Sequence, residues 1–485
     1  MIGMGRSSFV ERHGLWTQQQ AEAAQRVLRR AGEAGIQSVR LSFADQHGVL
    51  RGKTVVAETL PMALANGCSM TTTLLAKDTS HRTVYPVWSS GGGFNMADMT
   101  GASDFIMVPD PTTFRILPWA PHSGWMLCDC YFPDGRPVPF STRRICTEAL
   151  QRLEARGYHY LAGLELEFYI YKLDDPRLQS ADCTQPPTAP AVSMLARGFQ
   201  YLTENRYDEL DPVMDQLRAT LQALDLPVRT MESEYGPSQC ELTFGPVVGR
   251  EAADNVLLAR SAIKQVCRRN GLHATFMCRP ALANALSSGW HLHQSLLDVH
   301  TGDNVFMSRD AAEILAPTGQ HFVAGLLEYA RESCIFAAPT INGYKRYRPF
   351  SLAPKNIVWG RDNRGAMIRV IGGPNDPATH LENRVGESAA NPYLYFASQI
   401  ISGLAGIERG LQPAAAVDTP YAADPRALPD NLVQAAEALR GSELYRRVLG
   451  DQFVDYFLTI KDFEIHRFLA DEVTDWEQRE YFEVF

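Results

Sequence analysis

Apolar and acidic residues alternate without a break over residues 164–170. In a strand, where successive side chains point to opposite faces, Leu164, Leu166, Phe168 and Ile170 lie on one side and Glu165 and Glu167 on the other. Two same-face carboxylates repel unless a cation lies between them. The alternation returns over 288–296, where it pairs His291 with His293, and over 380–384, where His380, Glu382 and Arg384 share a side. Between these stretches, Glu234 and Glu241 flank a Gly236-Pro237 turn that can fold both acids toward one point. Taken singly, each segment also fits a solvated strand face, a satisfied core histidine or a surface ion pair of little worth.

Elsewhere the period is helical. Thr17 can cap a helix running to Ala31 with Ala24, Val27, Leu28 and Ala31 on one face, stopped by Gly32 and Gly35. Ser141 opens a second, with Ile145, Ala149, Leu150 and Leu153 inward and Gly157 as its stop. Asp211-Pro212 is the predicted start of a third, burying Met214, Leu217, Leu221 and Leu224. Further helices fit 252–269, 317–331, 392–411 behind Asn391, and 432–439. Strands fit 38–43, 104–108 and the surroundings of Met126, with a turn at 45–48 and a loop-and-hairpin region at 77–94. Residues 174–197 are polar and carry Pro186, Pro187 and Pro190, so they read as an excursion from the second domain. The class is α+β: a small mixed domain over 1–138, then a larger one over 139–485 in which helices cover the strands that bear the acids.

With 485 residues, of which 45% are hydrophobic and 21% charged, the chain can bury a sizeable core. A net charge of -9 gives no electrostatic footprint for nucleic acid or an anionic membrane. No apolar run approaches the roughly 18 residues that span a bilayer, and the first residues lack the charged and apolar regions of a signal peptide, so a soluble, cytoplasmic protein is expected. Nine cysteines, an odd number without zinc spacing, fit reduced thiols.

Taken in order, Glu165, Glu167, Glu234, Glu241, His291 and Glu382 resemble the ligand series of the glutamine synthetase superfamily. Around them stand Thr275-Phe276-Met277 with Pro280, residues 288–296, Gly343-Tyr344-Lys345-Arg346, Ala353-Pro354, residues 359–364 and Ala390-Asn391-Pro392-Tyr393. The resemblance runs from about Val39 to the C-terminus. It implies an N-terminal β-grasp domain, a catalytic domain on a curved antiparallel sheet, and homo-oligomeric rings, a dodecamer in this family, with the site shared between neighbouring subunits. It further implies that Glu167, Glu234 and Glu241 hold the metal nearer the amide-forming site, and Glu165, His291 and Glu382 the metal that bridges the phosphates of ATP. Mostly oxygen donors with one imidazole favour Mg2+ or Mn2+ over zinc. By the same resemblance Arg364 stabilises the phosphoryl group in flight, His293 and Arg369 touch the nucleotide, and Arg346, Arg384 and the Gly289 segment hold L-glutamate.

The departures from the family pattern bear on the second substrate. The place of the glutamate that closes over ammonium falls on Leu352, whereas the other ammonium-binding acid is retained as Asp45. Leu286 stands where an asparagine commonly contacts glutamate, and Arg279 where lysine is frequent. Losing the carboxylate costs a cationic substrate an ion pair, while the isobutyl group favours apolar surface by roughly 25 cal/mol per Å² covered. The expected activity is ATP-dependent joining of the γ-carboxylate of L-glutamate to a bulky apolar primary amine such as aniline, through γ-glutamyl phosphate. Alternatives are ammonia, as in glutamine synthetase proper, an alkylamine or polyamine, or a non-catalytic protein on the same fold. No tyrosine-bearing adenylylation loop is recognisable over 420–429, so that control is not expected.

Overall fold

The structure is a computed structural model that describes residues 7–89, 91–422 and 426–484. Residues 423–425, part of the stretch read for an adenylylation loop, lie outside the described residues. Strands β1 (Ser38–Ala44), β2 (Leu50–Val56), β3 (Cys68–Thr71), β4 (Asp104–Pro109), β5 (Arg115–Leu117) and β6 (Ala120–Tyr131) form a six-stranded sheet in the order β2-β1-β6-β4-β3, with β5 also on β6. It is mixed, because β1 runs parallel to β6 while its other pairs are antiparallel. Val39, Leu41 and Phe43 alternate into the core, and Phe43 meets Phe105 edge-on at 5.2 Å.

The second sheet has nine strands: β7 (Tyr158–Leu173), β8 (Val192–Met194), β9 (Val228–Ser233), β10 (Gln239–Val248), β11 (Leu272–Thr275), β12 (Trp290–Asp298), β13 (Trp359–Arg361), β14 (Ile368–Ile371) and β15 (His380–Asn383). Their order is β13-β14-β15-β12-β7-β10-β9, antiparallel except for the β13–β14 pair, and the sheet curves until it is nearly closed. Leu164, Leu166, Phe168 and Ile170 of β7 are buried beneath the helices Thr142–Glu154 and Glu251–Arg269, with Glu165 and Glu167 on the opposite face. The fold is α+β, as the alternating periods imply.

The helix entered at Thr17 has its capping box with Gln20 and spans Gln18–Glu33. The one expected to open at Pro212 instead spans Glu204–Ala223 with Pro212 inside it. Tertiary contacts override the local preference: Leu210 is buried, and Glu209 takes the Arg197 amide at 2.9 Å. The expected 317–331 helix breaks at Tyr329 into Pro317–Glu328 and Ala330–Ala337. A buried Arg143 joins the two sheets, donating to Asp129 of β6 at 2.9 Å, to Asp110 just past β4 at 2.8 Å, and to Asp254 under the second sheet at 3.0 Å.

Candidate active site

Cross-strand register assembles the acids. On β7, Glu165 lies opposite His291 of β12, and Glu167 opposite Glu241 of β10. Glu241 in turn faces Glu232 of β9, His293 faces Gly163 and Glu382, and Glu382 faces Arg369. Directly opposite residues share a face, so one alternating pattern per strand becomes one acidic floor. Glu234 follows β9, with an oxygen taking the Tyr235 amide at 3.1 Å.

This floor is an electrostatic problem for the protein alone. Burial, and then the neighbouring carboxylates, push Glu167, Glu234 and Glu241 above the usual carboxylate range. Glu382, fully buried, is pulled down instead, since Arg384 and the two imidazoles more than offset burial. Arg384 donates to one of its oxygens, and Arg369 to the other at 3.0 Å. His291 Nδ1 contacts Glu165, and its Nε2 receives a hydrogen bond from Arg346 Nη2 at 2.9 Å. A guanidinium only donates, so Nε2 is the acceptor nitrogen and the ring is neutral. Burial first and Arg384 second press the same way, taking His291 down to about 4.

The cluster suits a divalent cation. Ligand atoms of Glu165, His293 and Glu382 all lie within 4.8 Å of one another. His293 Nε2 is 3.1 Å from Glu165, and its Nδ1 is 3.0 Å from His380. His293 therefore enters this triad, while His291 faces the same Glu165 from the Arg346 side. Glu167, Glu234 and Glu241 do not close into a group of that span among the described residues, although the charge crowding that raises them is of the kind a cation would relieve.

Among the remaining residues singled out in the sequence, Arg346 and Arg384 are buried beside the acids. Arg346 Nη1 donates to the Arg384 carbonyl at 2.6 Å, and Arg384 Nη2 to the Leu352 carbonyl at 3.1 Å. Arg384 Nε is buried and has no partner among the described residues, an open donor for an anion. Gly289 admits the Arg346 guanidinium: a Cβ there would stand 2.5 Å from Nη2. Leu352 is 61% exposed and has a left-handed backbone (φ 57°). Arg364 is exposed with no hydrogen bond or ion pair among the described residues. Asp45 is not joined to the acids by any contact among the described residues. Its carboxylate takes the His47 and Val49 amides, each at 2.9 Å, and Arg51 Nε at 2.9 Å.

Other site residues were not singled out from sequence. Gln239, buried, donates to Glu167 and to Ser288, each at 3.0 Å, and so fixes the carboxylate. Glu232 was missed although Thr230, Glu232 and Glu234 repeat the period-two pattern. Phe350 is 87% exposed with φ 61°, its ring 5.1 Å from that of Tyr421, whose hydroxyl donates to the Ala353 carbonyl at 3.0 Å. A cavity of about 470 Å³ opens beside Glu165 and His293, walled by Leu161, Phe244, Pro246 and Ile371.

A cavity beside a cation-seeking acidic floor, with Arg346 and Arg384 buried behind the acids, fits an ATP-dependent carbon–nitrogen ligase, which is the class of this enzyme. The chain belongs to the glutamine synthetase family, whose catalytic-domain model (Glutamine synthetase, catalytic domain) matches residues 139–481. It is 42% identical to the γ-glutamylanilide synthase of an Acinetobacter species over 98% of both chains. It is 31% identical to the glutamate–isopropylamine ligase of a Pseudomonas species, over 93% of this chain and 95% of that one. A solved structure of GmaS in complex with ADP superposes with a TM-score of 0.78 and 27% identity, covering 94% of this chain and 99% of the other. Among the described residues, no helix is long and apolar enough to cross a membrane.

Proposed function

We propose that this enzyme joins the γ-carboxylate of L-glutamate to a bulky apolar primary amine, aniline being the best candidate. The observation that carries the reading is the segment around Leu352. Its carbonyl is held by the substrate-side Arg384, and it presents Leu352 and the Phe350–Tyr421 ring pair where an ammonium pocket needs a carboxylate. The likeness to an anilide synthase and to an isopropylamine ligase supports an apolar nitrogen substrate.

In this reading Arg384, through its open Nε, and Arg346 bind the carboxylates of glutamate. The γ-carboxylate oxygen attacks the terminal phosphorus of ATP, the bond to ADP breaks, and a γ-glutamyl phosphate forms, with the exposed Arg364 turning onto the transferring group. The amine nitrogen then attacks the γ-carbon, phosphate leaves, and the nitrogen gives up a proton. Glu167, Glu234 and Glu241, and Glu165, Glu382 and the imidazoles of His291 and His293, would hold Mg2+ or Mn2+, which would supply charge neutralisation between the two anions. Arg369 holds the nucleotide phosphates, whereas His293, expected there from the sequence, is taken up by the ligand triad. Asp45 serves the site of a neighbouring subunit in a ring, a dodecamer by family likeness. The units 1–138 and 139–485 then act as separate domains, as the change of sheet between Tyr131 and Tyr158 supports. A cytoplasmic location follows from the dependence on ATP.

ADP release measured with glutamate, ATP and, in turn, aniline, isopropylamine, putrescine and ammonium tests the reading. Turnover is expected with aniline above the others. Strong turnover with ammonium alone contradicts the amine assignment, and release with none of them contradicts the ligase.

A further inference from the structure

The register between β9 and β10 slips by one residue: Thr243 pairs with Thr230, and Phe244 with Val228. Arg229 is the residue left over, the extra member of a β-bulge on the outermost strand. Bulges re-aim a side chain and are frequent beside active sites. This one places Arg229 in the wall of the cavity over Glu165 and His293, next to Thr230 and Thr243. Its stem runs over Gly245, where an added Cβ would lie 3.7 Å from the arginine Cδ. The side chain is exposed and has no hydrogen bond or ion pair among the described residues. An unspent guanidinium aimed into a cavity whose other end carries the cation-binding acids has an anion as its natural partner.

Position along the sheet says which anion. Glu165 on β7 is opposite Thr243 on β10, which is opposite Thr230 on β9, so Arg229 stands two strands away, roughly 10 Å at the usual spacing. With the terminal phosphate of a nucleotide beside Glu165 and Arg369, the stretch of cavity between Glu165 and β9 would take the rest of the phosphate chain. We propose that Arg229 grips the α-phosphate of the bound nucleotide and so sets its affinity and register in the cavity. This rests on the ATP-dependent reading of the site.

Equilibrium affinities of the full-length protein for ATP, ADP, AMP and adenosine, measured by calorimetry or by displacement of a fluorescent nucleotide, test it. Arg229→Ala is expected to weaken ATP, ADP and AMP alike by about tenfold, the scale of one charge-assisted hydrogen bond, and to leave adenosine unchanged. Arg229→Lys is expected to recover part of that loss. Unchanged nucleotide affinity, a loss confined to ATP, or an equal loss with adenosine overturns the assignment. Wild-type protein that binds no nucleotide would instead overturn the ATP-dependent reading itself, which keeps the two failures apart.

Discussion

Gly289→Ala offers a sharp test of how the glutamate end of the site is built. The added methyl would stand 2.5 Å from Arg346 Nη2, 2.8 Å from Cζ and 3.0 Å from Nε, all inside normal contact distance. An exposed guanidinium would swing clear at little cost. This one is 5% exposed and held by the Arg384 carbonyl at 2.6 Å and His291 Nε2 at 2.9 Å. Moving it breaks at least one hydrogen bond from a charged donor, about 1.5–3 kcal/mol. Overpacking adds about 1–3 kcal/mol of destabilisation. With Arg346 in its proposed role of orienting the glutamate carboxylates, kcat/KM for glutamate should fall by about 10- to 100-fold. Steady-state kinetics with glutamate varied at saturating ATP and amine, together with a thermal melt, measure both effects. A variant that keeps wild-type kcat/KM for glutamate refutes the role given to Arg346 and the close approach at Gly289.

Three further outcomes follow from the same geometry. Glu167, Glu234 and Glu241 titrate above their ordinary value of 4.5, so the metal-free fold holds their protons more tightly than the unfolded chain and loses stability as pH rises above that value. Divalent cations should therefore raise the Tm more at about pH 8 than at about pH 6, and Glu241→Gln should stabilise the metal-free protein while shrinking that cation effect; an equal shift at both pH values would count against the acidic floor. Phe350→Ala should raise KM for aniline about tenfold, the worth of roughly 1.4 kcal/mol of apolar contact, and scarcely change KM for ammonium or glutamate. Arg143→Ala leaves Asp110, Asp129 and Asp254 without their shared cation, and chemical denaturation should show a loss of about 3–5 kcal/mol. Burial alone would raise Asp110, but Arg143 and Arg250 hold it at about 2, so its stabilisation is complete above 3.8 and drains away as pH falls through about 2.

What the sequence disclosed of the site followed the simplest periodicity in it. Strict alternation around Glu165, His291 and Glu382 needs only a strand to put those groups on one face, and each lies where that rule puts it. Gln239 and Ser288 escaped notice because their role depends on a tertiary contact 49 residues apart in sequence, with Glu167 as the third member. Arg229 was invisible for a related reason: a bulge is a property of two strands in register, and nothing local marks Val228-Arg229-Thr230 as slipped. Phe350 and Tyr421 come from separate loops, and only the fold brings their rings together. Amphipathic helices with clear caps, such as Gln18–Glu33, were legible. The helix Asp451–Asp471 was not, since Phe453, Val454, Tyr456, Phe457, Leu458, Ile460 and even Lys461 are buried around it and leave no single apolar stripe to read.

The central claim is that acids from distant strands are gathered to hold divalent cations at the ATP end of one cavity. Anomalous diffraction from crystals grown with Mn2+ and a nonhydrolysable ATP analogue measures this directly. The account predicts metal peaks bound by Glu165, Glu382 and an imidazole of His291 or His293, and by Glu167, Glu234 and Glu241, with the phosphates between them and Arg229. Peaks elsewhere, or a cluster that stays free of metal while the nucleotide binds, would contradict it.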